Sequence, residues 1–408
     1  MFIYIYVYYL RCTFSAPTSY PFDLFLFKLS VQEKSESNFN REMTACCGTR
    51  WSPVSDQVEA AAAVPIAAIH PDIVRAHILT RLDGLSLAAS SCASAQLNAL
   101  SSDDILWRDV CAATWPSTRD PLVRRAVSSF PSGHRSFFSD SYPLLHHPPK
   151  SSRQRLNYDR RPSPTAGLIF AVDIFYKDEL VLSKVQSTET ESGWFRFSPF
   201  RVDLLEPEES VAPASVIPRS SSESAEAEAE WFKQLEDNLK LSWIVIDPII
   251  NRAVNLSSRH AVSIRRHPLT GNVQVRYNTV VAGEPQRGSA AEVVQFGTKV
   301  TFTAGKSKGG SGGEGLEVAE VSLQVEDMEG RNLNGRDSLV ILRKAMEEGG
   351  RKRGERGSGE AKDRFKEFKE MKRERKRRQN RTEMAVDSAW AASWAIIMVA
   401  FWSYILFR

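Results

Sequence analysis

"HPDIVRAHILTRLDGLSLAASSCASAQLNALSSDDILWRDVCAATWP" (residues 70–116) carries three short helical patterns in succession. Pro71 suits a first helical turn, where its missing N–H costs little. Ile73, Val74, His77, Ile78 and Leu82 recur at helical spacing, and Asp83-Gly84 ends the segment. A second helix runs from Ser86 or Leu87 through Leu97 to Leu100. Its small residues, Ala88 to Ser91, Ala93 and Ser94, let a neighbour approach closely. "SSDD" (101–104) caps a third helix carrying Ile105, Leu106, Trp107 and Val110. Helices this short bury little core alone, so the unit needs a partner or an adjoining domain.

Downstream, residues 117–165 read as a linker, and its second half, "SYPLLHHPPKSSRQRLNYDRRPSPT" (141–165), holds five prolines. His146 and His147 have no third ligand nearby, so no metal site is expected. The character then changes over 166–348. "GLIFAVDIFYKDELVLSKVQ" (167–186) predicts two strands about a turn at Lys177–Glu179, and "GWFRFSPFRVDLLE" (193–206) continues in strand-like alternation. Trp243–Ile246 has the composition of a buried strand. Residues 260–281 predict a hairpin turning near Leu269–Asn272, and 291–304 and 316–330 supply two more strands. A short helix over 334–349, capped at Asp337, closes the region. The pattern predicts an α+β chain whose second part is mainly antiparallel and sandwich-like. Two interruptions read as exposed: the acidic, Ser-rich 213–230 and the Gly-rich 305–315.

The two ends differ from this middle. Residues 1–65 read as a poorly ordered extension; 1–42 begin with an apolar aromatic run lacking the positive flank of a signal peptide, and Met43 is an alternative start. At the other end, "SAWAASWAIIMVAFWSYILF" (388–407) is twenty residues without charge, about 30 Å as a helix. Residues 343–381 hold 17 Lys/Arg against 8 Asp/Glu, so the basic character of a chain with net charge +4 is confined to one segment. Residues 349–384 predict a basic, solvated stalk helix with a thin stripe of Phe365, Phe368 and Met371, and 385–408 a transmembrane anchor. The basic flank keeps the bulk cytosolic, and the endoplasmic reticulum is the expected membrane.

The five cysteines show no paired spacing, which fits a reducing compartment; Cys92 and Cys111 read as small core residues. "AGKS" (304–307) lacks the preceding glycine of a phosphate loop, since Val300 stands there. No hydrolase or metalloprotease motif is present, so no catalytic residue and no cofactor is expected.

The 70–116 stretch resembles an F-box. The matching positions are Pro71, Asp72, Ile73, Ile78, Leu79, Leu82, Leu87, Leu97, Leu106, Trp107 and Arg108. His70 stands where the family has leucine, and "CASAQLNAL" replaces the usual second-helix signature. A wider likeness, over about 66–381, is to plant F-box proteins with a β-rich C-terminal half. The resemblance implies an F-box over 66–116 that binds a Skp-type adaptor and so the cullin ligase core. It implies a β-rich domain that captures an unknown protein target. Pro71, Ile73, Ile78, Leu79, Leu82, Leu87, Leu97 and Trp107 are the implied adaptor-binding or supporting residues. Such a chain is a non-catalytic specificity subunit of a ubiquitin ligase, contacting membrane lipid through its tail; no nucleic acid is expected. "SGHRSFFSD" (132–140) carries no motif, and its expected role is to pack the F-box against the β domain. Three other readings stay open: a membrane scaffold outside any ligase, a carbohydrate-binding F-box protein stacking sugars on Trp194, Phe195, Trp231 or Trp243, and a nuclear protein using the basic 351–378.

Overall fold

The computed structural model describes residues 69–146, 167–206, 209–212, 217–218, 224–283, 292–305, 315–348, 350–352 and 357–407. The expected N-terminal extension, most of the proline-rich 141–165 and most of the Gly-rich 305–315 lie outside these residues.

The chain enters a helical bundle. A first stretch opens as α1 (Pro71–Ile73), widens to a π-turn over Val74–Ile78 and tightens to a 3₁₀ turn over Leu79–Arg81. The expected second helix is broken into α2 (Gly84–Ala93) and α3 (Ala95–Ser101). The break is Ser94, which is extended (φ −157°) and whose hydroxyl accepts from Leu97 N–H at 3.1 Å. A serine competes well for a cap and poorly for a helix interior. Next comes α4 (Asp104–Thr114), capped by Asp103.

Part of the expected linker is helical: a 3₁₀ turn over Pro116–Arg119, α5 (Pro121–Ser128) and α6 (Gly133–Ser141). Asp120 caps α5 and Pro121 starts it, a start signal of the same kind as that at residue 71. Phe137 and Phe138 of α6 pack on Trp107 and Trp115, with ring centroids 5.4–5.8 Å apart.

Strands follow: β1 (Leu144–His146), β2 (Gly167–Tyr176) and β3 (Glu179–Glu189), the last two joined by Lys177 and Asp178, both at positive φ. Residues 193–197, expected as strand, form the short helix α7 (Gly193–Phe197), and β4 (Arg201–Asp203) comes after it. The acidic interruption is also partly helical: α8 (Ala225–Asn238) buries Trp231 and Leu235, four residues apart, against the sheets. The remaining strands are β5 (Leu239–Asp247), β6 (Arg252–Asn255), β7 (Arg259–His260), β8 (Ser263–Arg266), β9 (Val273–Ala282), β10 (Val293–Gly305) and β11 (Gly315–Glu326). Then come α9 (Gly335–Glu348), β12 (Gly350–Lys352) and α10 (Gly357–Leu406). The cap of α9 is Asn334, whose side-chain Oδ1 accepts from Asp337 N–H at 2.8 Å, rather than Asp337 itself.

All strand pairings among the described residues are antiparallel. One sheet has the order β3-β2-β5-β6, with β7 on β5; the other has β4-β11-β10-β9-β8. Their facing sides share one core: Phe170, Val172 and Trp243 from the first sheet meet Val275, Phe296 and Leu323 from the second. The first sheet is buried on its other side too. Ile169, Ala171, Ile244 and Ile246 pack into the helical bundle, with Trp107, Phe137 and Phe138. This explains why "LIFAVDIFY" and "LSWIVID" read as nearly continuous apolar runs. Chain segments 144–146 and 350–352 close a two-stranded sheet.

The first half of α10 lies on the second sheet. Phe365 and Phe368 are buried, and Phe368 sits among Val280, Val293 and Met328. The expected solvated stalk is therefore docked along one side, because its apolar stripe has a sheet to cover. Nothing buries the second half, from Met384 on.

Candidate functional site

The bundle sorts its apolar residues into two sets. Val74, Leu79, Leu87, Leu106, Trp107 and Cys111 are buried and build its interior. Trp107 is fixed further by its indole N–H, which donates to Ser101 O at 2.7 Å. Pro71, Ile73, Ile78 and Ile105 stay exposed; Ile73 and Ile105 each keep 51% of their surface in solvent. The first helical stretch and the start of α4 are tied by the ion pair of Arg75 and Asp103. The π-turn matters here. One extra residue per turn rotates Ile73 and Ile78 outward while Val74 and Leu79 turn in. His70, in the place of a leucine, has its Nδ1 3.3 Å from Asp72 N and caps the first turn.

Of the eight residues expected to bind or support an adaptor, Pro71, Ile73 and Ile78 are thus on the surface. Leu79, Leu87 and Trp107 are interior, and Leu82 and Leu97 are half-buried against the same core. Ile105 was missing from that set. The cap at Asp103 fixes the register of α4 and turns Leu106, Trp107 and Cys111 inward, which leaves Ile105 outside.

The bundle is locked to the sandwich by polar contacts as well as by its core. Asp173, fully buried on β2, accepts from Ser117 N–H (2.9 Å), the Ser117 hydroxyl (2.5 Å) and the Ser183 hydroxyl (2.7 Å). Burial pushes its carboxyl above the usual range, and the three donors pull the other way. Asp140 of α6 accepts from Ala253 N–H at 3.2 Å and pairs with Arg252 at 2.9 Å.

No group of His, Cys, Asp and Glu among the described residues is arranged to hold a metal. Cys111 is buried and its thiol is pushed up by desolvation, whereas Cys92, expected in a core, is exposed. The four aromatics considered for sugar stacking do not share a face. Trp243 and Trp231 are core residues, Phe195 is half-buried, and only Trp194 is open to solvent.

Comparison with known proteins gives relatives along most of the chain. F-box protein At2g27310 of Arabidopsis thaliana is 42% identical over 346 residues, 84% of this chain and 97% of the relative. F-box protein At3g44326 of the same plant is 42% identical over 341 residues, 82% of this chain and 89% of the relative. Probable F-box protein At2g36090, also from Arabidopsis, is 43% identical over 79% of this chain and 87% of the relative. No family model matches, and no solved structure matches. On identity and coverage of this extent, the chain belongs to the F-box proteins of plants.

Proposed function

We propose that the chain is the substrate-receptor subunit of a Skp–cullin–F-box ubiquitin ligase held at a membrane. The observation that carries this reading is the exposed set Pro71, Ile73, Ile78 and Ile105 on a bundle whose interior is already complete. Apolar side chains held on a rigid scaffold suit a docking face, and a few such anchors dominate interface energy. Leu79, Leu82, Leu87, Leu97 and Trp107 shape that face from behind. The Skp-type adaptor covers it and links the chain to the cullin core.

The bundle packs on one face of the sandwich through Asp173, Asp140 and a shared apolar core, so an adaptor on the first and a target on the second keep a fixed separation. The chain supplies positioning, and ubiquitin transfer belongs to other subunits. For the membrane, α10 is long and apolar enough to cross a bilayer, its apolar part is unburied, and basic residues precede it.

Two experiments test this. Co-purification of the full chain with a Skp-type adaptor, beside the variant Ile73→Asp/Ile78→Asp, tests the docking face. Retention on membranes through an alkaline carbonate wash tests the anchor; release into the wash removes it.

A further inference from the structure

Outside α10, the two most exposed aromatic side chains among the described residues are Trp194 (84%) and Phe197 (78%). Both belong to α7, three residues apart, and so share a face. They are not on a loose loop. Ser192 caps the turn, accepting from Phe195 N–H at 3.2 Å. Phe195, between them, points inward and meets Phe200 edge-on at 5.9 Å. Gly335 of α9 lies against Phe195 so closely that no Cβ fits. The fold therefore holds a Trp and a Phe outward, and none of the described residues covers them.

Their position gives the partner. Phe200 N–H donates to Leu333 O (2.8 Å), and Leu333 N–H donates to Val325 O (2.9 Å) near the end of β11. The next residue, Glu326, pairs with Lys372 of α10 at 3.6 Å, and Glu329 pairs with Arg375 at 3.4 Å. So α7 lies at the end of the sandwich from which α10 departs. The β8–β9 turn, with Leu269 exposed, lies at the other end, since Val273 pairs with Phe302 and Ala282 with Val293.

Residues 376–387 separate the Arg375 pair from the uncharged run, a rise of about 18 Å. The headgroup layer occupies about 5–8 Å of it. A tilt of about 20° shortens the rest by only about 1 Å, and it is a tilt towards α7 that lowers that side of the body to the bilayer. Lys376, Arg377, Arg378 and Arg381 outweigh Glu383 and Asp387 in this interval, and Arg196 adds a cation on α7 itself.

We infer that Trp194 and Phe197 form a second membrane contact, seated in the interfacial layer of the anionic bilayer that α10 enters. Aromatic side chains favour that layer, and the basic interval favours anionic lipid. The contact rests on the anchor reading above. It fixes the tilt of the body, and with it the height at which the adaptor-facing bundle is carried.

The test uses the full chain in vesicles of phosphatidylcholine and phosphatidylserine, with native cysteines replaced. A bimane label is placed on Phe197→Cys or, at the opposite end, on Leu269→Cys. Quenching by headgroup-nitroxide lipid several-fold stronger at 197 than at 269 is the expected result. It should fall to the level at 269 when Trp194→Ala is added, with the chain still carbonate-resistant. Equal weak quenching at both sites in a carbonate-resistant chain overturns the aromatic contact and leaves the anchor standing. A chain that washes off overturns both.

Discussion

Asp173→Ala removes the acceptor on which the bundle and the sandwich meet. Three donors lose their partner: the Ser117 N–H, the Ser117 hydroxyl and the Ser183 hydroxyl. The two Ser117 donors lie in a region closed to water, so solvent cannot replace Asp173 for them, whereas Ser183 is exposed and its hydroxyl can turn to water. Each buried donor left alone costs about 1–3 kcal/mol, offset in part because a desolvated carboxylate is also removed. The expected net loss is about 2–4 kcal/mol. Asp173→Asn should cost under about 1 kcal/mol. Its carbonyl accepts from Ser117 N–H and Ser183, and its amide donates to the Ser117 oxygen.

The pH dependence separates the two roles. The carboxyl of Asp173 is raised in the fold, so the native state binds its proton more tightly than the unfolded chain. Stability from this group is then greatest at low pH. It falls as pH rises from the ordinary carboxylate range through the raised value, and stays flat above it. The asparagine variant should lose that slope. Urea unfolding of the detergent-solubilised full chain at pH 4 to 8 measures both effects. An alanine cost below about 0.5 kcal/mol, or identical pH slopes for wild type and asparagine, would refute the account of this junction.

Other substitutions test separate links. Gly335→Ala forces a Cβ into the Phe195 carbonyl and ring, so it should destabilise by about 1–3 kcal/mol and raise protease cleavage near α7. Phe368→Ala empties the site between Val280, Val293 and Met328; a loss of about 3 kcal/mol should appear with faster cleavage over 360–375. His70→Ala removes the cap on Asp72 N–H and should cost about 1 kcal/mol, read from the unfolding midpoint, without abolishing adaptor binding.

Local signals foretold those parts of the fold that local rules decide. The Lys177–Asp178 turn, the hairpin into Val273 and the helix begun by Pro71 are each marked by residues next to one another. Strands β2 and β5 were visible because both of their faces are apolar. What was hidden depended on distant partners. The alternation at Trp194–Phe197 reads as strand, but a Ser192 cap and one inward residue, Phe195, make it a helical turn. Trp231 and Leu235 hold α8 through only two buried positions in an acidic run. The stripe of α10 gains its meaning from Val280, Val293 and Met328, far back in the chain.

The candidate site was legible as a segment but not as a surface. Ile73 and Val74 are neighbours of like character, and only the π-turn decides which of them faces solvent. Ile105 reads in sequence as one more apolar residue of its helix for the same reason: its neighbours Leu106 and Trp107 are equally apolar, yet of the three only Ile105 points outward.

The central claim is that this outward face docks a Skp-type adaptor. The direct measurement is adaptor binding by the full chain and by Ile73→Asp/Ile78→Asp, with urea unfolding run on both. Both changes lie on exposed positions, so the unfolding midpoint should hold while binding falls at least a hundredfold. Wild-type binding that the double change leaves intact, or no wild-type binding at all, would contradict the account.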